Sequence, residues 1–342
     1  MKFIQMLLKK IMLIIVIFLE VLIILIVDYT IFDNNQINIV RQTVKIEGLP
    51  AQFDGFTILQ ISDLHGKRFG NSQQKLNRMI NSLDYDAIAF TGDMQSYSHQ
   101  DIQPLLDVMH GINKKTPMFF VSGNSGPFDI TYETKNVQRQ FSIDMATGLY
   151  EDAAIDLQSA GATLLDQPKY IERAGVRLWF AADFFPHQSI AITAKTRQTL
   201  LKAKDPGEVV DLSTRIAYQE TLQSIYASFT PSDTLIGIFH IPLTSQMLAD
   251  SQGLPPYDLV IAGHYHGGQI RIPFYGAIFI LDDTLPGHGF FSPQELVSGL
   301  YHGNAIQQYI SRGLGASSRI PFLQFRFFDT PEINLITLTN SQ

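Results

Sequence analysis

The stretch Ile261-Ala262-Gly263-His264-Tyr265-His266-Gly267-Gly268-Gln269 follows a short apolar run, Tyr257-Asp258-Leu259-Val260. The run reads as a buried strand. It empties into two histidines two residues apart, bracketed by glycines. A lone histidine on an apolar strand is usually a core residue. A His-x-His between glycines at a strand end is different, because glycine permits a tight turn and both imidazoles can aim at one point beyond the sheet edge.

Four more strand ends carry residues of the same chemical type. Phe56 to Ile61 runs into Asp63-Leu64-His65, and Asp86 to Thr91 runs into Gly92-Asp93. Pro117 to Val121 leads to Gly123-Asn124-Ser125-Gly126, and Leu235 to Phe239 leads to His240. Each fragment has a bland alternative: Asp63 as a helix N-cap, Gly-Asp and Gly-Asn as turns, a histidine at the surface. Together they place seven oxygen and nitrogen donors, with no sulfur, at strand ends. In open α/β sheets ligands gather beyond the carboxyl ends of the strands. The set is too large for one ion and suits two divalent ions sharing a carboxylate.

Between these strands, helical spacing at Leu76, Met79, Ile80 and Leu83, and again at Ile102, Leu105, Leu106 and Met109, predicts strand-loop-helix units. Asp152 to Ala160 reads as a helix closed by Gly161, and Phe128 to Gln140 as a loop or insertion. Val176 to Ala182 reads as a central strand, and Ile216, Leu222 and Ile225 as one packed helical face. Ile270 to Leu281 suggests a hairpin, Ala305 to Ser311 a strand, and Ile333 to Leu338 a last strand.

The chain has 342 residues, 45% of them hydrophobic, enough for a substantial core. A net charge of -7 argues against nucleic-acid binding. The absence of cysteine excludes disulfides, thiolate metal sites and cysteine nucleophiles. No G-x-S-x-G elbow or phosphate-binding G-x-x-x-x-G-K is present. At the N-terminus Lys2, Lys9 and Lys10 precede an apolar run from Ile11 to Val27, broken only by Glu20. With its flanks this run is long enough to span a bilayer. Val27-Asp28-Tyr29-Thr30 lacks a small-residue cleavage pattern. The expectation is an uncleaved anchor over 11–32, with a cytoplasmic N-terminus over 1–10 and the remainder outside. Residues 33–54 are expected to be a linker and edge segment, and 55–342 the main domain. Glu20 at mid-bilayer costs a few kcal/mol unless protonated or paired.

The ordered set Asp63-Leu64-His65, Gly92-Asp93, Gly123-Asn124, His240 and Gly263-His264-Tyr265-His266 resembles the pattern of the calcineurin-like metallophosphoesterases. The likeness covers roughly residues 55–340, on the strand reading above. Gly267-Gly268-Gln269 and Ser311-Arg312-Gly313-Leu314-Gly315 are similar to the membrane-anchored bacterial branch that includes YkuE- and YaeI-like phosphodiesterases. The resemblance implies an α/β fold of two mixed β-sheets packed as a sandwich and flanked by helices. It implies two divalent metal ions (Mn, Fe or Zn), with Asp63, His65 and His266 on one side, Asp93 bridging, and Asn124, His240 and His264 on the other. It further implies in-line attack by a metal-bound hydroxide on a phosphodiester or pyrophosphate of lipid, cell-wall or nucleotide type. Arg312, with Arg271, is a candidate for contacting the phosphate.

The sequence departs from that pattern at one place. Where the family has G-N-H-D/E, this chain reads Gly123-Asn124-Ser125-Gly126. The histidine that would serve the leaving group is Ser125, and the acidic residue that would orient it is Gly126. A missing general acid costs ~10²–10⁴-fold in rate. His99, Asp129 or His187 would have to replace it, or the substrate would need a good leaving group, or the site would bind without turnover. Slow or specialised hydrolysis is the first expectation, and a low-activity or non-catalytic metal- and phosphate-binding membrane protein the alternative.

Overall fold

The computed structural model describes residues 2–96, 101–126, 130–134, 137–140, 143–144, 149–150, 152–182, 197–250, 254–280, 289–317 and 324–340. His99, Asp129, His187 and His288 lie outside the described residues. The chain opens with α1 (Lys2–Asn34), one continuous helix that is longer at both ends than the apolar run and whose apolar side chains are exposed along its length.

Twelve strands form the two main sheets, numbered along the chain. They are β1 (Asn38–Ile46), β2 (Thr57–Ile61), β3 (Ala87–Thr91), β4 (Met118–Val121), β5 (Ala162–Leu164) and β6 (Lys169–Arg173). After them come β7 (Val176–Ala181), β8 (Thr234–Ile238), β9 (Leu259–Ala262), β10 (Gly299–His302), β11 (Gln307–Ile310) and β12 (Glu332–Asn340). The first sheet has the order β1-β12-β2-β3-β4-β5 and the second β6-β7-β8-β9-β11-β10, six strands each. In the first, β2 to β5 run parallel and β12 pairs antiparallel with β2. In the second, β7, β8, β9 and β11 run parallel, edged by antiparallel β6 and β10. The carboxyl ends of both parallel blocks carry the donors singled out above.

Strand alternation builds three apolar layers. Ile58, Ala87, Ala89, Phe119 and Val121 from the first sheet meet Leu178, Phe180, Ile236, Ile238 and Ile261 from the second. Their neighbours Leu59, Ile61, Ile88, Phe90 and Phe120 face outward onto α2 (Gln74–Asn81), α3 (Gln103–His110) and α4 (Asp152–Ser159), through Leu76, Ile80, Leu105, Val108 and Leu157. On the other side Trp179, Leu235 and Val260 pack with Ile225 of α5 (Pro206–Ala227) and Leu248 of α6 (Ser245–Ala249). Phe119 and Phe180 stack across the sandwich with centroids 4.2 Å apart. At the site end, the buried Gln60 Nε2 donates to Thr91 Oγ1 at 3.0 Å and to the Ala262 carbonyl at 2.7 Å, joining the sheets.

Several expectations need adjustment. Within the expected linker and edge segment over 33–54, β1 forms an edge of the first sheet, parallel to β12 over its full length, and Val44 and Ile46 bury between the sheets. Part of the expected loop over Phe128 to Gln140 forms a small antiparallel ribbon, Ile130–Thr134 with Val137–Gln140. The strands β6 and β10 were not expected, because both are half-exposed edges without an apolar run. The hairpin after Ile270 is present as Arg271–Ile272 paired with Gly276–Ala277.

Phe180→Ala opens a cavity between the sheets and is expected to destabilise by about 3–5 kcal/mol, read by denaturant or thermal unfolding in detergent. Asp258, beside β9, accepts from the Leu235 amide at 2.9 Å, and burial pushes its carboxyl up to about 6 from 3.8. A raised folded-state pKa means that stability is fully present below the unfolded value and is lost as pH rises through 6. Asp258→Asn should therefore melt higher than wild type at pH 8 and coincide with it at pH 4.

Candidate metal centre

Asp63 and His65 leave β2, Asp93 leaves β3, Asn124 leaves β4, His240 leaves β8, and His264 and His266 leave β9. Five of these seven residues hold a left-handed backbone: Asp63 (φ 52°), His65 (49°), Asp93 (53°), His264 (78°) and His266 (51°). Each such conformation costs ~1–3 kcal/mol and persists only where its surroundings enforce it. Backbone hydrogen bonds between the loops do so here. The Asp63 amide donates to Gly92 O, the His65 amide to Asp93 O, and the Gly315 amide to Asp63 O. Close approach also demands glycine. A Cβ on Gly123 would lie 2.0 Å from Asp93 Oδ1, and one on Gly263 would lie 2.0 Å from Ser62 Oγ and 2.3 Å from Asp63 Oδ2.

The donors fall into two overlapping groups. Asp63, His65, Asp93 and His266 offer ligand atoms all within 4.8 Å of one another, and all four are buried. Within this group His65 Nε2 is 3.0 Å from His266 Nε2 and 3.4 Å from Asp93 Oδ2, and His266 Nε2 is 3.6 Å from Asp63 Oδ1. On the other side of Asp93, His240 Nε2 is 3.3 Å from Asp93 Oδ1 and 3.1 Å from His264 Nδ1. His240 Nδ1 is fixed by the Thr91 carbonyl at 3.0 Å. Asn124 Oδ1 is buried and has no hydrogen-bond partner among the described residues. Imidazole nitrogens converging with carboxylates, and an orphaned amide oxygen beside them, form a donor set that divalent cations satisfy.

The electrostatics divide the histidines. Burial pushes the Asp93 carboxyl up, but the charges of His240 and His65 and the Ser125 amide outweigh it and hold Asp93 well below the usual carboxylate range. Burial opposes charge on His240, yet Asp93 raises it to about 9. Burial lowers His65, and burial together with His65 and Arg326 lowers His266 further. Both shifts favour the neutral imidazole, the state that ligates metal, whereas His240 must give up its proton to ligate. Burial raises Asp63, which is held by Ser62 Oγ and the His264 amide.

The loop that departs from the family pattern keeps one structural task. The Ser125 amide donates to Asp93 Oδ1 at 2.8 Å, while Ser125 Oγ is buried without a partner among the described residues. A Cβ on Gly126 would stand 2.6 Å from Gln95 Oε1, so a larger residue there would displace Gln95.

Arg312 follows β11 and is half-buried. Its Nη1 lies 3.7 Å from Asp329 and its Nε 3.8 Å from Glu332. Sequence reasoning missed Arg326. It is fully buried and donates to Asp329 O (2.7 Å), Gly315 O (2.6 Å), His266 O (3.1 Å) and Asp329 Oδ2 (2.5 Å). It therefore ties the His266 turn to the loop that supports Asp63. Its only signal in the sequence is an arginine three residues before an aspartate, which reads equally as a solvated turn.

The family model for calcineurin-like phosphoesterases matches residues 56–268. The chain is 24% identical over 322 residues to uncharacterized metallophosphoesterase YkuE of Bacillus subtilis, covering 90% of this chain and 88% of that one. It is 26% identical over 315 residues to UDP-2,3-diacylglucosamine pyrophosphatase LpxG of Chlamydia muridarum, covering 88% and 89%. Among solved structures, phosphopantetheinyl hydrolase (PptH) from Mycobacterium tuberculosis matches with a TM-score of 0.36 and 14% identity, covering 80% of this chain and 96% of that one.

Because Asp93 is common to both groups, Asp93→Asn should lower the divalent metal found by elemental analysis, with circular dichroism close to wild type. Gly263→Ala should also lower metal content, because the added methyl must push Asp63 or Ser62 aside.

Proposed function

The chain belongs to the calcineurin-like phosphoesterase family and is a hydrolase acting on phosphate esters; from that premise we propose a membrane-anchored enzyme with two divalent metal ions, cleaving a lipid-borne diphosphate or phosphodiester. The observation that carries this reading is the pair of donor groups meeting at Asp93. Asp63, His65 and His266 would hold one ion and Asn124, His240 and His264 the other, with the Asp93 carboxylate between them. When bound, such ions lower the pKa of a water and neutralise charge on phosphoryl oxygens.

The chain's own residues do the rest. The Ser125 amide, with Gly123 behind it, fixes the Asp93 carboxylate. Arg326 holds the His266 turn, and Thr91 O fixes the His240 ring. Arg312, beside Asp329 and Glu332, would contact the substrate phosphate. No imidazole follows Asn124, so the reading favours a substrate whose leaving group needs little protonation. A diphosphate meets that requirement, and LpxG, at 26% identity, is named a pyrophosphatase.

Two features support a lipid carrier. The helix α1 runs about 50 Å, against a hydrocarbon core of roughly 30 Å, with lysines at its start. The lysine bias favours a cytoplasmic N-terminus and an external domain. In addition, a cavity of about 390 Å³ is lined jointly by Thr30, Ile31 and Asn34 of α1 and by His65, Ser96 and Phe325. A phosphate carried by a membrane lipid would reach the metals beside the helix that anchors the enzyme.

The full chain in detergent with Mn²⁺ should cleave an aryl phosphodiester, and should cleave a polyprenyl diphosphate at least about tenfold faster than a soluble nucleotide sugar. Chelator and Asp93→Asn should abolish both activities. The Ser125-Gly126 departure favours a second reading, a metal- and phosphate-binding protein without turnover. Loaded metal with no cleavage, and none gained by Ser125→His, would select it.

A further inference from the structure

Outside α1, the described residues include seven exposed aromatic side chains, and six of them belong to two neighbouring stretches, 271–291 and 324–328: Phe274, Tyr275, Phe290, Phe291, Phe325 and Phe328. Ile272 is exposed among them. Soluble surfaces rarely gather apolar side chains in this way without a partner. The face is built from the ribbons that follow the His266 turn and from the segment around Arg326. The Arg271 amide donates to Phe327 O, and the Phe291 amide to Ile278 O. Tyr275 meets Phe291 with centroids 5.6 Å apart, and Phe279 meets Phe290 at 4.9 Å.

The backbone points the same way. Phe274, Phe291 and Phe328 have φ of 68°, 60° and 49°. For a bulky residue this conformation is an outlier, and Phe274 and Phe291 nevertheless stay 111% and 61% exposed. Asparagine or glycine would fold these turns at less cost. The Phe274 and Phe291 rings are held outward.

The face is also continuous with the helix. Phe328 packs on Tyr29 with centroids 5.1 Å apart, in the last turns of α1. On the anchor reading above, Tyr29 marks the level at which α1 leaves the bilayer, where aromatic side chains collect. Resting on that reading, we infer that this aromatic face lies in the interfacial layer of the bilayer and seats the domain on the lipid surface beside α1. The metal site is then held against the membrane by two contacts, the spanning helix and the face, and cannot swing away from it. The cavity beside Phe325 opens within the same surface.

The test uses the single tryptophan, Trp179, which is 3% exposed in the core and supplies a constant background. Full-length Phe274→Trp and Phe290→Trp variants are reconstituted into phosphatidylcholine and phosphatidylglycerol vesicles, with and without brominated acyl chains. The added indole emission should fall roughly twofold or more in brominated vesicles, while the emission of wild type stays unchanged. Flotation of the same samples reports the anchor separately. Protein that floats with the vesicles but shows no bromine quenching overturns the inference and leaves the anchor intact. A blue-shifted indole without quenching overturns it too, in favour of a protein partner on the face. Protein that does not float overturns the anchor reading and this inference with it.

Discussion

The Asp93 carboxylate stands where the two sheets meet, and the site depends on its being held there. Oδ2 faces His65 from the first sheet, and Oδ1 faces His240 from the second while accepting from the Ser125 amide. A buried carboxylate without partners would protonate or unfold its surroundings. Here three elements supply the compensation, so the position of Asp93 also sets the spacing of the sheets at their carboxyl ends. Gln60, joining Thr91 to the Ala262 carbonyl, holds the same spacing one layer deeper. The backbone strain at Asp63, His65, Asp93, His264 and His266 is the conformational cost of turning five ligand-type residues toward one place.

Much of this was legible because each strand is a short apolar run and each ends abruptly in a polar ligand type. Period-2 alternation then assigned the faces: Ile58 and Leu59 bury in different layers, as do Leu178 and Trp179. What was not legible shares a physical cause. The strands β6 and β10 gain their order from one antiparallel neighbour each, and their half-polar sequences look like loop. The buried Arg326 and Asp329 sit in a segment without hydrophobic period, where charge normally means solvent. Only tertiary closure reveals that Arg326 is fully buried. The exposed phenylalanines posed the opposite problem. In sequence, Phe274, Phe290 and Phe291 look like core residues, and nothing local distinguishes a ring turned outward.

The change at Ser125 and Gly126 is coherent rather than piecemeal. Losing the histidine alone would leave an acidic partner buried near a carboxylate, with repulsion and no return. Both positions are small here, and Gln95 occupies the space beside Gly126. The loop still closes as a tight Gly123 to Gly126 bridge, and its amide still holds Asp93. The positioning task of the loop is kept, and no imidazole follows Asn124.

The end of α1 is part of the same construction. Lys67, two residues beyond His65, donates to the Asn34 carbonyl at 2.5 Å and to the Leu314 carbonyl at 3.2 Å. Burial, with Arg326 nearby, lowers its amine to about 7. A largely buried lysine capping a helix carbonyl is a costly way to fasten a flexible tether, and an economical one only if the geometry matters. Asn34 also exchanges hydrogen bonds with the backbone of Arg326, donating to its carbonyl at 2.6 Å and accepting from its amide at 2.8 Å. The side chain of Arg326 in turn holds His266. One chain of contacts thus runs from the helix end through Asn34 and Arg326 to a ligand-type histidine, and a parallel one runs through Lys67 to the loop after His65. Fixing the helix end therefore fixes the register of both histidines, and any tilt of α1 against the domain must be resisted by the same buried guanidinium that shapes the site.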